Sequence, residues 1–206
     1  MKTLPRGLYA ITPDEADTNR LLSIVTAALK GGAAILQYRN KAASAELKLA
    51  QASALLPICR AFAVPLILND DLALALELDA DGVHLGGDDG DLAAARGRLG
   101  PNKFLGSSCY GSIDRAITAK AAGADHIAFG TMFPSSTKPL AKQAPLELFM
   151  QARERVGLPA VGIGGVTLDN APRLVAAGAH AVAVITALFA APDITQRAEE
   201  FNALFI

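Results

Sequence analysis

Residues 21–39, LLSIVTAALKGGAAILQYR, contain one complete structural unit. LLSIVTAALK spaces its aliphatic residues as a helix with one buried face does, and two glycines then stop it. AAIL follows without any apolar–polar alternation, which marks a strand buried on both faces, as in a parallel sheet covered by helices. The order returns downstream, where AITAKAAGADH leads into IAFG and APRLVAAGAH into AVAVI. In each case the glycine reads as the left-handed residue that closes a helix.

Working outward, the same reading picks out strand segments at GLYAIT (7–12), AAILQYR (33–39), PLILND (65–70), GVHLG (82–86), FLGSSC (104–109), HIAFG (126–130), AVGIGG (160–165) and AVAVIT (181–186), with helical patterns between them. Eight strand–helix units of about 26 residues each suit a (β/α)8 TIM barrel better than an open doubly wound sheet. No charge run, Pro/Ser-rich linker or low-complexity stretch divides residues 1–206, so one barrel domain is expected. Active sites of this fold lie at the C-terminal strand ends. Polar residues gather there, as QYRNK, LNDD, HLGGDD, GSSCY, FGTMFPSSTK, GIGG and IT.

Composition narrows the function. The net charge is −1, so no global positive field exists to hold nucleic acid or an anionic membrane, and any anion site must be local. The basic N-terminus lacks the apolar core of a signal peptide, and AVAVITALFAA (181–191) is too short to span a bilayer. Cys59 and Cys109 form no CxxC pair and sit in apolar segments, which reads as free buried thiols in a reducing cytosol. A soluble, cytoplasmic protein is expected, with homo-oligomerisation left open.

Ending a buried strand in Arg39 and Lys41 calls for an anion, because an unpaired buried charge costs several kcal/mol. Asp70 and Asp89, after neighbouring strands, read equally well as a Mg²⁺ site or as helix caps. Asp71, Asp88 and Asp91 read as caps or solvated residues. Ser135, Ser136, Thr137 and Lys138 bring hydroxyls, backbone N–H groups and a cation together, as an oxyanion site or an ordinary polar loop would. The connection from 131 to 145 is long for a βα loop, which favours a functional role. GIGG and Ile185–Thr186 stand where barrels of this class often bind phosphate. His84 and His126 alternate with or begin apolar strands and read as structural; His180 belongs to the opposite face. Neither a zinc spacing, a G-x-S-x-G elbow nor a dinucleotide G-x-G-x-x-G occurs. Lys41 and Lys138 lie outside the apolar strands that would prepare a Schiff-base lysine.

Taken jointly and in order, LYAIT, QYRNK, LILND, DGVHLGGDD, GSS, FGTMFPSSTK, VGIGGV and the strand-eight end resemble thiamine phosphate synthase over nearly the whole chain. The resemblance implies condensation of 4-amino-5-hydroxymethyl-2-methylpyrimidine diphosphate with hydroxyethylthiazole phosphate, releasing diphosphate, with Mg²⁺ as cofactor. By motif, Gln37, Tyr38, Arg39, Asn40 and Lys41 would hold the pyrimidine diphosphate with Asn69, Ser108 and Lys138, and Asp70 and Asp89 would bind Mg²⁺. Ser135, Ser136 and Thr137 would approach the thiazole, whose phosphate would be seated by Gly165, Ile185 and Thr186. The catalytic burden would fall on Arg39, Lys41, Ser108 and Lys138.

The implied chemistry is dissociative: diphosphate leaves a resonance-stabilised pyrimidine carbocation, which the thiazole nitrogen captures. Three positions depart from the family pattern. Ser135 stands for a usual Thr, Thr186 for a usual Ser, and Tyr110 where many members carry His. The rival readings are a thiazole tautomerase, whose relatives tend to lose parts of the diphosphate and metal set, and a non-enzymatic barrel that binds thiamine precursors.

Overall fold

The computed structural model describes residues 3–86, 90–134 and 143–206. Its strands are β1 (Gly7–Ile11), β2 (Ile35–Tyr38), β3 (Leu66–Asn69), β4 (Gly82–Leu85), β5 (Phe104–Tyr110), β6 (His126–Phe129), β7 (Ala160–Ile163) and β8 (Ala181–Val184). They pair in parallel in chain order, and β8 closes on β1 to complete a barrel. Each segment read from the sequence coincides with a strand to within two residues.

Helices α1 (Thr18–Lys30), α2 (Ala45–Ala61), α3 (Leu72–Glu77), α4 (Leu92–Leu99), α5 (Ile113–Ala121), α6 (Glu147–Gln151) and α7 (Ala171–Ala176) follow β1 to β7 in turn. After β8 come the short α8 (Thr186–Phe189) and α9 (Ile194–Asn202). The unbroken apolar strands are explained by two separate cores. Tyr9, Ile11, Ile35, Ile67, Phe104, Ala128, Val161, Ala181 and Ala183 pack inside the barrel. Their neighbours, among them Leu8, Leu36, Leu66, Leu68, Val83, Leu105 and Ile127, face the helices.

Helix boundaries follow from local chemistry. Asp71 caps α3 by accepting from Leu74 N at 2.9 Å, and Asp91 caps α4 through Ala93 N at 2.8 Å and Ala94 N at 3.2 Å, so two of the three aspartates read as caps or solvated residues are caps. Of the glycine pair after α1, Gly32 takes the left-handed backbone (φ +87°) while Gly31 does not (φ −79°). Gly31 is instead required for space: a Cβ there would lie 2.3 Å from Thr195 O and 2.6 Å from Ala198 Cβ, so it lets α1 and α9 touch.

The face opposite the polar strand ends is tied shut. His180 Nε2 lies 2.8 Å from Leu4 O, and Arg96 pairs with the buried Asp125, which also accepts from Leu105 N at 2.8 Å. Cys59 and Cys109 are free and buried, and desolvation pushes their thiols up to about 12 and about 11. They are therefore poor nucleophiles at neutral pH. Among the described residues, no helix is long and apolar enough to cross a membrane.

Candidate active site

The charged end of β2 is held by β1. Thr12, fully buried, donates from Oγ1 to Arg39 O and accepts from Arg39 N, both at 2.8 Å. Asp14 Oδ1 accepts from Lys41 N at 2.8 Å and from Arg39 Nη1 at 3.3 Å. The two cations do not enter the core as a buried strand end suggested. Lys41 is exposed and the Arg39 side chain is 28% exposed, because the chain leaves the barrel at this point. The partner that the charge called for is, for Arg39, the half-exposed Asp14.

The residues between and before the cations carry structural duties as well. Gln37 is buried inside the barrel and donates from Nε2 to Tyr9 Oη at 3.0 Å. Tyr38 faces the helix layer, where its hydroxyl donates to Gln51 Oε1 of α2 at 2.8 Å. Burial pushes its phenol up to about 12. Asn40 Nδ2 donates to Glu15 O at 2.8 Å and to Gln51 Oε1 at 3.1 Å, and Gln51 Nε2 also donates to Glu15 O, at 2.9 Å. The fully buried Gln51 thus locks the end of β2 to the loop after β1.

Next to it, β3 ends in Asn69, whose Nδ2 donates to Asp70 Oδ2 at 2.6 Å. Asp70 Oδ1 accepts from Gly86 N at 3.2 Å, and Asp70 N donates to His84 O at 2.8 Å. Asp70 takes a left-handed backbone (φ +60°), a conformation that Asp tolerates better than most residues. A cavity of about 260 Å³ opens here, with Tyr38, Asn40, Lys41, Asn69 and Asp70 in its wall beside Lys48 and Asp71. Five of the sequence-derived site residues therefore meet in one cavity.

Farther round the barrel, Ser108 near the end of β5 has its Oγ 3.0 Å from His84 Nε2. The loops after β6 and β7 touch, with Met132 N donating to Ile163 O and Phe133 N to Gly164 O, each at 3.0 Å. Gly165 (φ +65°) permits this approach, since a Cβ there would meet Phe133 O and Pro134 O at 2.5 Å. After β8, Ile185 precedes α8 and Thr186 is its first residue. Asp88, Asp89, Ser135, Ser136, Thr137, Lys138 and Lys142 lie outside the described residues.

Comparison with known proteins decides the family. Residues 8–188 match the model of the family described as thiamine monophosphate synthase. The chain belongs to that family. A thiamine-phosphate synthase of Methylobacillus flagellatus is 60% identical over 200 residues, covering 97% of this chain and 95% of the relative. Another, of Aromatoleum aromaticum, is 53% identical over 200 residues, covering 97% and 96%. Among solved structures, the thiamine phosphate pyrophosphorylase of Pyrococcus furiosus superposes with a TM-score of 0.85 at 32% identity, covering 96% of this chain and 94% of that one.

For this member of the thiamine monophosphate synthase family, Mg²⁺ can be tested against the donors present. The Asp70 carboxylate spends one acceptor direction on Asn69 and one on Gly86, leaving further lone pairs on a partly buried, conformationally pinned group. That suits an ion which takes one or two carboxylates and keeps much of its water. Sequence reading missed Thr12, Asp14, Gln51 and Lys48. Thr12 and Asp14 follow LYAI directly, and their place beyond the strand end was the available signal; Gln51 and Lys48 sit on a helix and gave none.

Proposed function

We infer that the protein is a thiamine phosphate synthase. It joins 4-amino-5-hydroxymethyl-2-methylpyrimidine diphosphate to 4-methyl-5-(2-phosphooxyethyl)thiazole, giving thiamine phosphate and diphosphate, and is therefore a transferase. One observation carries the reading: a chain 60% identical to a thiamine-phosphate synthase over nearly its whole length ends adjacent strands in Lys41, Asn69 and Asp70 around a single cavity.

The reaction breaks the bond between the pyrimidine methylene carbon and a diphosphate oxygen, and the electron pair leaves with the oxygen. The amino-substituted ring delocalises the positive charge left on carbon, and the thiazole nitrogen lone pair then forms the C–N bond. No strong base is needed. Arg39, Lys41 and Lys138 would stabilise the charge that grows on the leaving group, and Ser108 would donate to it. Asp70 and Asp89 would hold Mg²⁺, which neutralises diphosphate charge when bound. Asn69 orients Asp70, and Thr12 and Asp14 fix the backbone from which Arg39 and Lys41 reach. Ser135, Ser136 and Thr137 would meet the thiazole, and Gly165, Ile185 and Thr186 its phosphate.

Two reduced, deeply buried cysteines support a cytoplasmic setting. Sustained turnover of both substrates is the test, since a precursor-binding barrel would bind them and release them unchanged, and a tautomerase would alter the thiazole alone.

A further inference from the structure

The inner wall of the barrel carries a row of polar side chains where aliphatic packing is the rule. In register, Gly106 of β5 pairs with His84 of β4 on one side and His126 of β6 on the other. A Cβ at Gly106 would lie 2.3 Å from His126 Nε2 and 2.4 Å from His84 Nδ1. Those are the nitrogens that face each other, 3.4 Å apart, so the absent side chain is the gap through which the imidazoles meet. His84 Nε2 continues the row to Ser108 Oγ at 3.0 Å. At the other end His126 Nδ1 is buried without a hydrogen-bond partner among the described residues.

Both rings are buried, with no ion pair to either among the described residues, and their facing nitrogens need one N–H and one lone pair between them, so the row is one of neutral imidazoles. A neutral imidazole has one N–H, so two directions satisfy the whole row. In the first, His126 Nε2–H donates to His84 Nδ1 and His84 Nε2–H donates to Ser108 Oγ. The hydroxyl proton of Ser108 is then free for another acceptor. In the second, Ser108 donates to His84, His84 Nδ1–H donates to His126 Nε2, and His126 is left with a buried Nδ1–H that nothing accepts. Orphaned N–H groups are rarer in protein interiors than under-satisfied acceptors. The second direction also turns Ser108 lone pairs toward a ligand whose ionised oxygens only accept.

We propose that His126, acting through His84, is a positioning residue that keeps Ser108 a hydrogen-bond donor toward the diphosphate. The ligand in this statement rests on the synthase reading, whereas the direction of the row is a property of the resting protein. A donor set in advance needs no reorganisation as charge develops on the leaving group, which is how preorganised groups lower a barrier.

The direct test is the tautomer of each ring in ¹⁵N-labelled protein without substrates, read from long-range ¹H–¹⁵N correlations and assigned with His84→Gln and His126→Gln. Both rings are expected as Nε2–H. His84 found as Nδ1–H overturns the proposal, whatever the activity. Kinetics supplies the second arm. His126→Leu removes the donor but keeps an apolar core residue. Its kcat is expected to fall about 10- to 100-fold, the scale of one hydrogen bond to a charged group, with the KM for thiazole phosphate unchanged. His126→Gln, which returns an amide N–H near the Nε2 position, is expected to recover kcat to within about 5-fold. Wild-type kcat in folded His126→Leu contradicts the proposal, and if that variant fails to fold the tautomers of the wild type still decide. Should the wild type make no thiamine phosphate, the diphosphate part falls with the synthase reading while the ring tautomers still judge the proton order.

Discussion

Thr12 grips Arg39 by the backbone: one hydroxyl donates to its carbonyl and accepts from its amide, both at 2.8 Å. The first strand thus fixes the residue from which the guanidinium starts, while the side chain itself is held only by a partly solvated ion pair with Asp14. Thr12→Val preserves shape but leaves two backbone groups of Arg39 unpaired. Urea unfolding is expected to show a loss of about 1–3 kcal/mol, and thiamine phosphate formation a fall of about 10-fold.

Arg39→Ala separates function from stability. Its ion pair with Asp14 is partly solvated on both sides, so its loss is expected to cost about 1 kcal/mol or less. Single-turnover kinetics, by contrast, are expected to show diphosphate release slowed by about 100-fold or more with thiazole affinity unchanged. A variant that merely binds thiazole phosphate more weakly would remove Arg39 from the diphosphate site.

Asp70→Asn is the cleaner probe of the metal. Asn also tolerates the left-handed backbone at this position, so the fold is expected to hold within about 1 kcal/mol. The Mg²⁺-dependent rate is expected to drop by about 100-fold or more, because the ion loses one of its one or two carboxylates. A Mg²⁺ titration of activity checks this, and an unchanged response would reassign Asp70.

Stability is expected to depend on pH through the two inner histidines. Both are depressed in the folded state, so the unfolded chain protonates first, near pH 6.5. The stabilisation is complete above that value and disappears as pH falls through the folded value, about 4 for His84. Over that window His84 alone accounts for roughly 3 kcal/mol. Denaturant titrations of wild type and His84→Gln are expected to differ most in slope between pH 6.5 and 4. Parallel profiles would mean that the rings are not held neutral by burial.

Much of this was legible in the sequence, for identifiable reasons. A barrel strand buried on both faces reads apolar until it reaches the mouth, so Arg39, Lys41, Asn69, Asp70 and Ser108 announced the strand ends and the polar rim of the barrel. The glycines after α1, α5 and α7 announced helix ends by backbone preference alone. What escaped depends on contacts between distant segments. Nothing local to Gly31 reveals that Thr195 presses on it, and nothing in GSS reveals that Gly106 opens a gap between two histidines more than forty residues apart. The burial of the cations was misjudged for a related reason: a strand pattern gives the direction of the chain but not the depth at which it meets solvent. Asp89 and the loop residues Ser135 to Lys138 lie outside the described residues, so their part in the site rests on the resemblance.

The measurement that bears hardest on this reading combines the purified protein with the pyrimidine diphosphate and the thiazole phosphate, with and without Mg²⁺, and follows both products over time. Thiamine phosphate and diphosphate should appear in equal amounts, only when both substrates and the ion are present. Substrates recovered unchanged under those conditions, or diphosphate released at the same rate without Mg²⁺, would contradict it.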